Sequence, residues 1–426
     1  MDSLLFLCHR LPFPPNKGDK VRSYHWLRHL AGRYRVFLGT FIDDQADWQH
    51  VEALKALCAD VHVEALHPAV KRVASGRAFL TGEALTLPYF RSRKLSDWVG
   101  ATVARERIMR AFAYSSPMAQ YLLNFPRMRR IVDFVDADAA KWAAYARQRS
   151  WPASAFYARE ARRLLAFERD VAAHVDAVAF VTDEEARWFR DMAGGSLGRL
   201  ETIRNGVDGD YFSPSTQFES PFAADEHAIV FTGAMDYWPN VDAVLWFARE
   251  VLPIIREKEP SARFYVVGMN PSAAVRGLAR VVGAVGAATT VVTGRVADVR
   301  PYLQHARVVV APLRVARGIQ NKVLEAMAMA KPVVATPDIA ASLSAQRGIE
   351  IEVAFEPDEF AARVVELMDA GRAARMGERA RRRVLADYAW PASQQLLDDL
   401  IDGEVVPAPP RRPVPTAETC IPLTAR

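Results

Sequence analysis

The sequence predicts an α/β protein of two doubly wound domains facing across a cleft, and three observations carry that prediction. The chain has 426 residues, beyond the size at which a single hydrophobic core usually stops growing. In both halves, short apolar runs alternate with amphipathic stretches of helical length, as parallel strands joined by crossover helices do. Between the halves, Asn205-Gly206-Val207-Asp208 and the polar, proline-bounded stretch Ser213 to Pro221 carry the turn chemistry of a boundary.

In the first half, Leu4 to Cys8 reads as a strand, and Lys20 to Ala31 as a helix with Val21, Tyr24 and Leu27 on one side. Tyr34 to Phe41 is the next strand and Asp43 to Ala59 the next helix. Val61 to Leu66, Ile131 to Val135 and Ala177 to Val181 are further strands. Strands spaced this way imply a parallel sheet covered on both faces. Lys71 to Phe125 reads as mostly helical, on the domain surface. The second half repeats the alternation more cleanly. Its strands are Ile229 to Thr232, Phe264 to Val267, Thr290 to Val292, Val308 to Ala311 and Pro332 to Ala335, and its helices Val241 to Glu257, Val299 to His305 and Lys322 to Ala330. The division expected is 1–205, 206–385, a returning helix 386–403, and a Pro-, Arg- and Thr-rich disordered tail 404–426. Ligands in such folds gather at the carboxyl ends of the strands, which puts substrates in the cleft.

Bulk properties narrow the class. A net charge of +5 is too mild to imply nucleic acid binding. The clusters Arg127-Met128-Arg129-Arg130 and Arg379 to Arg383 read either as solvated faces or as a surface for anionic lipid headgroups. Cys8, Cys58 and Cys420 are too few and scattered for a disulfide framework or a metal cage, and Cys8 reads as a buried small hydrophobe. No apolar run has the length of a signal-peptide core or a membrane span, so the folded body is expected in the cytoplasm.

The segment Gly318-Ile-Gln-Asn-Lys-Val-Leu-Glu325-Ala-Met-Ala-Met-Ala-Lys331-Pro332-Val-Val-Ala-Thr336 resembles the signature of the family-4 retaining glycosyltransferases. Further matches are Val181 to Glu185, Asn205 to Asp208 with Tyr211 to Pro214, Phe231 to Gly233 through Pro239-Asn240, and Tyr388 to Trp390. His9-Arg10-Leu11-Pro12-Phe13-Pro14-Pro15, Gly18-Asp19-Lys20 and Asp133-Phe134-Val135-Asp136 are similar to the exosortase- and PEP-CTERM-associated sugar transferases. The resemblance implies the GT-B fold of two Rossmann-like domains. It also implies a nucleotide-sugar donor, UDP-linked on family frequency, and a saccharide or lipid-linked saccharide acceptor in exopolysaccharide assembly. An acceptor of that kind would give the basic clusters a use at the inner face of the membrane. No acidic pair has metal-ligand spacing, so no cofactor and metal-independent chemistry are expected.

By the same resemblance Glu325 accepts from the ribose hydroxyls of the donor. A carboxylate can hold a vicinal diol through both oxygens; the other reading is a solvent-facing glutamate early in a helix, worth about 0.3–1 kcal/mol. Gly318 and the amides around Ile319 and Gln320 offer close backbone approach to phosphate or sugar, though a lone glycine marks only a turn. Gly233 ends the first strand of the second domain, where the donor would lie. Gly18, between the first strand and first helix, would let the first domain reach the transferred sugar, with Arg22 nearby or merely exposed. Asp136 would orient an acceptor hydroxyl, but Asp133 or Asp136 serves equally as a helix cap. His9 is either a contact or a structural histidine.

Two departures from the family pattern stand out. Arg317 occupies the position, eight before Glu325, where the family usually has a second glutamate. It reads as a partner for an acidic sugar, as a diphosphate contact, or as a surface arginine. The family's usual cation pair falls on Ala234 and Pro239, leaving Lys322 and Arg314, then Arg317, to meet the charge of a leaving diphosphate. Retaining sugar transfer is the function implied. A GT-B nucleotide-sugar epimerase and a catalytically silent saccharide-binding or assembly protein are the alternatives.

Overall fold

The computed structural model describes residues 1–15, 18–279, 289–315 and 318–403. Arg317 and the tail 404–426 lie outside them. Two parallel sheets organise the chain. The first contains β1 (Ser3–Cys8), β2 (Arg35–Ile42), β3 (Asp60–Ala65), β4 (Arg110–Tyr114), β5 (Arg129–Val135), β6 (Ala177–Phe180) and β7 (Arg199–Thr202), in the order β3-β2-β1-β4-β5-β6-β7. The second contains β8 (His227–Thr232), β9 (Ala262–Val267), β10 (Thr290–Gly294), β11 (Val308–Ala311), β12 (Val333–Ala335) and β13 (Glu352–Val353), in the order β10-β9-β8-β11-β12-β13. The strand order reverses beside β1 in one sheet and beside β8 in the other. Those switch points open a crevice at the strands' carboxyl ends.

Among the helices around the sheets are α1 (Gly18–Ala31), α2 (Pro68–Ser75), α3 (Ala78–Thr81), α4 (Asp138–Gln148), α5 (Ala153–His174), α6 (Trp238–Trp246), α7 (Asn321–Ala328) and α8 (Trp390–Asp402). β1 and β8 are apolar almost throughout and buried, as strands covered on both faces must be. One large core, from Ile229 to Val384, fills the second domain. α8 leaves that domain and buries Trp390, Leu397, Leu400 and Ile401 against Leu4, Phe6 and Trp26 of the first.

The structure corrects three expectations. Lys71 to Phe125 is not all surface helix, because β4 runs through it and pairs with β1 and β5 in the middle of the sheet. Its sequence, Arg-Ala-Phe-Ala-Tyr, lacks both β-branched residues and a polar alternation, since both faces are covered. Asp43 to Ala59 is broken into a 3-10 turn, Gln45–His50, and the short helix Val51–Lys55. The basic cluster at Arg127 to Arg130 is largely interior: Arg129 and Arg130 are buried, and Arg129 Nε donates to the Leu400 carbonyl at 2.6 Å. In the other cluster, Arg381 donates to the carbonyls of Phe212 and Gly209, and Arg383 pairs with Glu350 and Asp387.

Candidate functional site

The chain brings most of the sequence-predicted residues to one crevice, by three strand ends and two helix starts. α1 begins at Gly18, after β1. A Cβ placed on Gly18 would lie 3.8 Å from Asn321 Nδ2, the first residue of α7 in the other domain. Gly318, in the loop after β11, has φ +63°, and a Cβ there would lie 3.3 Å from Asp136 Oδ1. The left-handed backbone and the close neighbour both favour glycine. Gly18, Gly318, Asn321 and Asp136 therefore meet where the two domains face each other.

Beneath them runs a buried polar network. Arg22 Nε donates to Asp133 Oδ2 at 2.7 Å, and Trp26 Nε1 donates to the same oxygen at 3.0 Å. Arg22 Nη1 donates to Asn205 Oδ1 at 3.0 Å, and Asn205 Nδ2 donates to Asn321 Oδ1 at 3.2 Å. This chain of bonds ties α1 and β5 to the interdomain linker and to the start of α7. Arg22 and Asp133 are each 1% exposed, so breaking the pair from one side would strand a buried charge. Arg22 Nη2 is buried without a hydrogen-bond partner. Asp133 is thus a network residue rather than a helix cap, and Arg22 is no exposed helix residue.

Asp136 emerges from an unusual backbone. Val135, a β-branched residue, has φ +70°, in a region such side chains rarely occupy. The kink is held by Asp133 Oδ1, which accepts from the Val135 amide at 3.0 Å, and by the bond from Val181 N to the Val135 carbonyl at 2.8 Å. Glu185, in the helix Asp183–Ala193, accepts from the Ala137 amide and clamps the turn. Strain of about 1–3 kcal/mol held at such a turn is typical of functional loops. Partial burial in the crevice raises the Asp136 pKa, against the pull of Lys141 at 3.8 Å. Lys141 in turn is held well above the ordinary lysine range, chiefly by Asp138.

On the second domain, Lys322 and Glu325 stand three residues apart near the start of α7. Lys322 Nζ donates to Asn240 Oδ1 at 2.6 Å and lies 4.3 Å from the centre of the Phe231 ring. Asn240 Nδ2 closes the turn onto the Ala234 carbonyl at 2.8 Å. A Cβ on Gly233 would meet Asn240 Nδ2 at 2.8 Å and Lys322 Nζ at 3.2 Å, so a glycine is what admits the ammonium. Burial pushes Lys322 down to about 7 and Glu325 up to about 7, each opposed by the other's charge. The Glu325 carboxylate has no hydrogen-bond partner among the described residues.

The remaining candidates divide. Ile319 is buried, and Gln320 stands at the N-cap position of α7. Arg314 is engaged by Asp242 on α6, through Nε at 3.0 Å and Nη2 at 2.5 Å, which among the described residues leaves Lys322 as the cation at the Gly233 turn. Arg317 lies outside the described residues. His9 is sandwiched against Tyr114, with ring centroids 5.8 Å apart, and meets Phe90 edge-on at 5.7 Å, a packing role. Among the described residues no group of three or more His, Cys, Asp or Glu side chains is arranged to hold a metal ion.

Sequence reasoning missed Asn205 and Asn321 as a pair, the strained Val135, and Lys141. The motif residues 205 to 208 were visible, but nothing in the sequence shows that an asparagine 116 positions later is the partner.

Comparison with known proteins fits this geometry. Residues 226–370 match the family described as "Glycosyl transferases group 1". No curated protein matches the chain. Among solved structures, sucrose-phosphate synthase from Thermosynechococcus elongatus is 16% identical with a TM-score of 0.68, over 94% of this chain and 98% of that one. Anabaena HepE, solved in complex with UDP-glucose, is 15% identical with a TM-score of 0.63, over 94% and 99%. WaaG, a glycosyltransferase involved in lipopolysaccharide biosynthesis, is 15% identical with a TM-score of 0.63, over 94% and 100%. At such identities the structural likeness carries the fold, which is GT-B. With the group 1 match over its second domain, the chain is a glycosyltransferase.

Proposed function

We propose that this glycosyltransferase takes a UDP-sugar and transfers its sugar with retention of configuration to a saccharide or lipid-linked saccharide. The observation that carries the reading is the half-buried, unpartnered Glu325 carboxylate near Lys322, on the helix that follows Gly318, which itself lies against Asp136 of the first domain. Glu325 accepts from the two ribose hydroxyls. The diphosphate lies at the start of α7, where free amides and the helix dipole favour anions. Lys322 and the open Nη2 of Arg22 supply positive charge as the nucleoside diphosphate departs. Asp136 accepts from a hydroxyl of the sugar or acceptor, and the acceptor oxygen enters on the face that the phosphate leaves. Catalysis of this kind is positioning and electrostatics more than protein nucleophile chemistry.

The narrower likeness to the exosortase- and PEP-CTERM-associated transferases, and with it a place in exopolysaccharide assembly, rests on the motifs at residues 9–15, 18–20 and 133–136. Contact with an anionic membrane belongs to the same proposal. Its support moves from the two arginine clusters, where Arg129, Arg130, Arg381 and Arg383 are engaged internally, to α2 and α3. There Val73 is 82% and Leu80 90% exposed, near Val70 and Phe79, and Lys71, Arg72 and Arg77 stand in a stretch free of acidic residues from Ala65 to Gly82. Apolar side chains among cations suit a surface that lies on anionic lipid. No described helix is long and apolar enough to cross a membrane.

The test is a thermal-shift screen of UDP-, GDP-, ADP- and CMP-sugars on the full chain, followed by turnover of the best donor with membrane lipid extract. A UDP-sugar should give the largest shift. A larger shift with another nucleotide would replace the donor assignment, and saccharide binding without donor consumption would favour the silent alternative.

A further inference from the structure

A second hollow opens between the domains, beside the crevice and outside the donor site. Tyr145 and Gln148 of α4, Arg149, Tyr157 of α5 and Trp238 of α6 line a cavity of about 310 Å³. The walls are organised. Trp142 stacks on Tyr157, with ring centroids 5.6 Å apart, and the Tyr145 ring meets both edge-on at 6.0 and 5.9 Å. From the other domain come Trp238, 42% exposed, and its neighbour Tyr237, 50% exposed. Apolar rings left open on two facing domains call for an occupant.

The sequence of α4 links this hollow to the reacting centre. Asp138, Lys141, Tyr145 and Gln148 are spaced by three or four residues, so they form one row along the helix. Asp138 lies beside Asp136 at the crevice, sharing Lys141 with it, and Gln148 lies in the cavity. The row is roughly 15 Å long, more than one sugar ring spans.

The lining chemistry selects the occupant. Two phenols, an indole, an amide and a guanidinium line the hollow, and none of these five is aliphatic, which disfavours a lipid tail. The C–H face of a pyranose is apolar and weakly positive, matching the negative face of an aromatic ring. Its hydroxyls match the donors and acceptors of Gln148 and Arg149. We propose that this cavity is an acceptor subsite that stacks a distal sugar of an oligosaccharide, whose reacting end lies at Asp136. The acceptor is then a chain of at least two sugars. Because Trp238 comes from the donor-binding domain, acceptor occupancy and domain closure support each other. The proposal rests on the transferase reading above and deepens it.

The test titrates maltotriose, cellotriose, chitotriose and mannotriose, each against its monosaccharide, onto the full chain by saturation-transfer NMR, with UDP titrated separately. At least one trisaccharide should bind tenfold or more tighter than its monosaccharide. Trp238→Ala and Tyr157→Ala should each weaken that binding at least fivefold, Trp238→Phe should keep most of it, and UDP should not compete. The subsite is overturned if no trisaccharide saturates, if both alanine variants bind like the parent, or if UDP displaces the saccharide. Saturable UDP binding without any saccharide binding would sink this inference alone. Loss of UDP binding as well would sink the reading beneath it.

Discussion

Replacing Glu325 by glutamine should move stability and nucleotide affinity in opposite directions. In the crevice the carboxylate is half-buried and accepts no hydrogen bond from the described residues, and burial raises its pKa from 4.5 to about 7. Taken at face value that shift is a destabilisation of about 3 kcal/mol at high pH. Solvent at the crevice mouth and the lost attraction to Lys322 reduce the net gain from Glu325→Gln to about 1 kcal/mol. That corresponds to roughly 2–4 °C in Tm for a domain of this size. The sign follows from proton linkage. A carboxyl whose folded pKa is raised binds more protons folded than unfolded, so stability falls as pH rises through the window from 4.5 to about 7. The variant should therefore melt higher than the parent at pH 8 and together with it at pH 4.5. Nucleotide affinity should drop, because two charge-assisted bonds to the ribose are weakened at about 1.5–3 kcal/mol in all, a tenfold to hundredfold loss. Differential scanning calorimetry at the two pH values and UDP titration calorimetry measure both halves. A lower Tm at pH 8, or an unchanged UDP affinity, would refute the assignment of Glu325 as a carboxylate held open for the donor.

Lys322, held down to about 7 by burial, should take up a proton when the diphosphate arrives. UDP affinity should then fall as pH rises above 7, by up to tenfold per unit, with uptake approaching one proton at pH 8. Calorimetry in buffers of different ionisation enthalpy measures it, and Lys322→Met should abolish the uptake. Gly318→Ala forces an alanine to φ +63° with its Cβ 3.3 Å from Asp136 Oδ1, which should cost about 1–2 kcal/mol; an unchanged urea midpoint would show that the loop relaxes freely. Val73→Glu with Leu80→Glu should remove most binding to phosphatidylglycerol-containing vesicles in co-sedimentation, and equal binding to pure phosphatidylcholine vesicles by the parent would remove the electrostatic part of that proposal.

Much of the fold was legible in the residues because parallel strands buried on both faces write themselves as apolar runs. Leu4 to Cys8 and Ile229 to Thr232 declare β1 and β8, and the glycines that follow announce the turns at the switch points. β4 escaped because Ala-Phe-Ala has no periodicity that separates a buried strand from a buried helix. β13 escaped because two residues become a strand only by pairing with β12. Within the site, Gly318 and Glu325 stood out through a local pattern. The arginine clusters misled, since a run of cations in sequence does not reveal which carbonyls and carboxylates the fold will bring to them. The sequence by itself determined the class of fold, the loop-and-helix segment that carries Gly318 and Glu325, and the glycines that backbone geometry requires. Only the tertiary structure decided that Arg22 is buried on Asp133 and Asn205, that Asp136 stands across from Gly318, and that Trp238 faces Tyr145 and Tyr157. Each of those pairings joins residues from elements far apart in the chain. Local propensity and periodicity carry information over a few turns of helix, while such contacts are fixed by how whole sheets and helices pack.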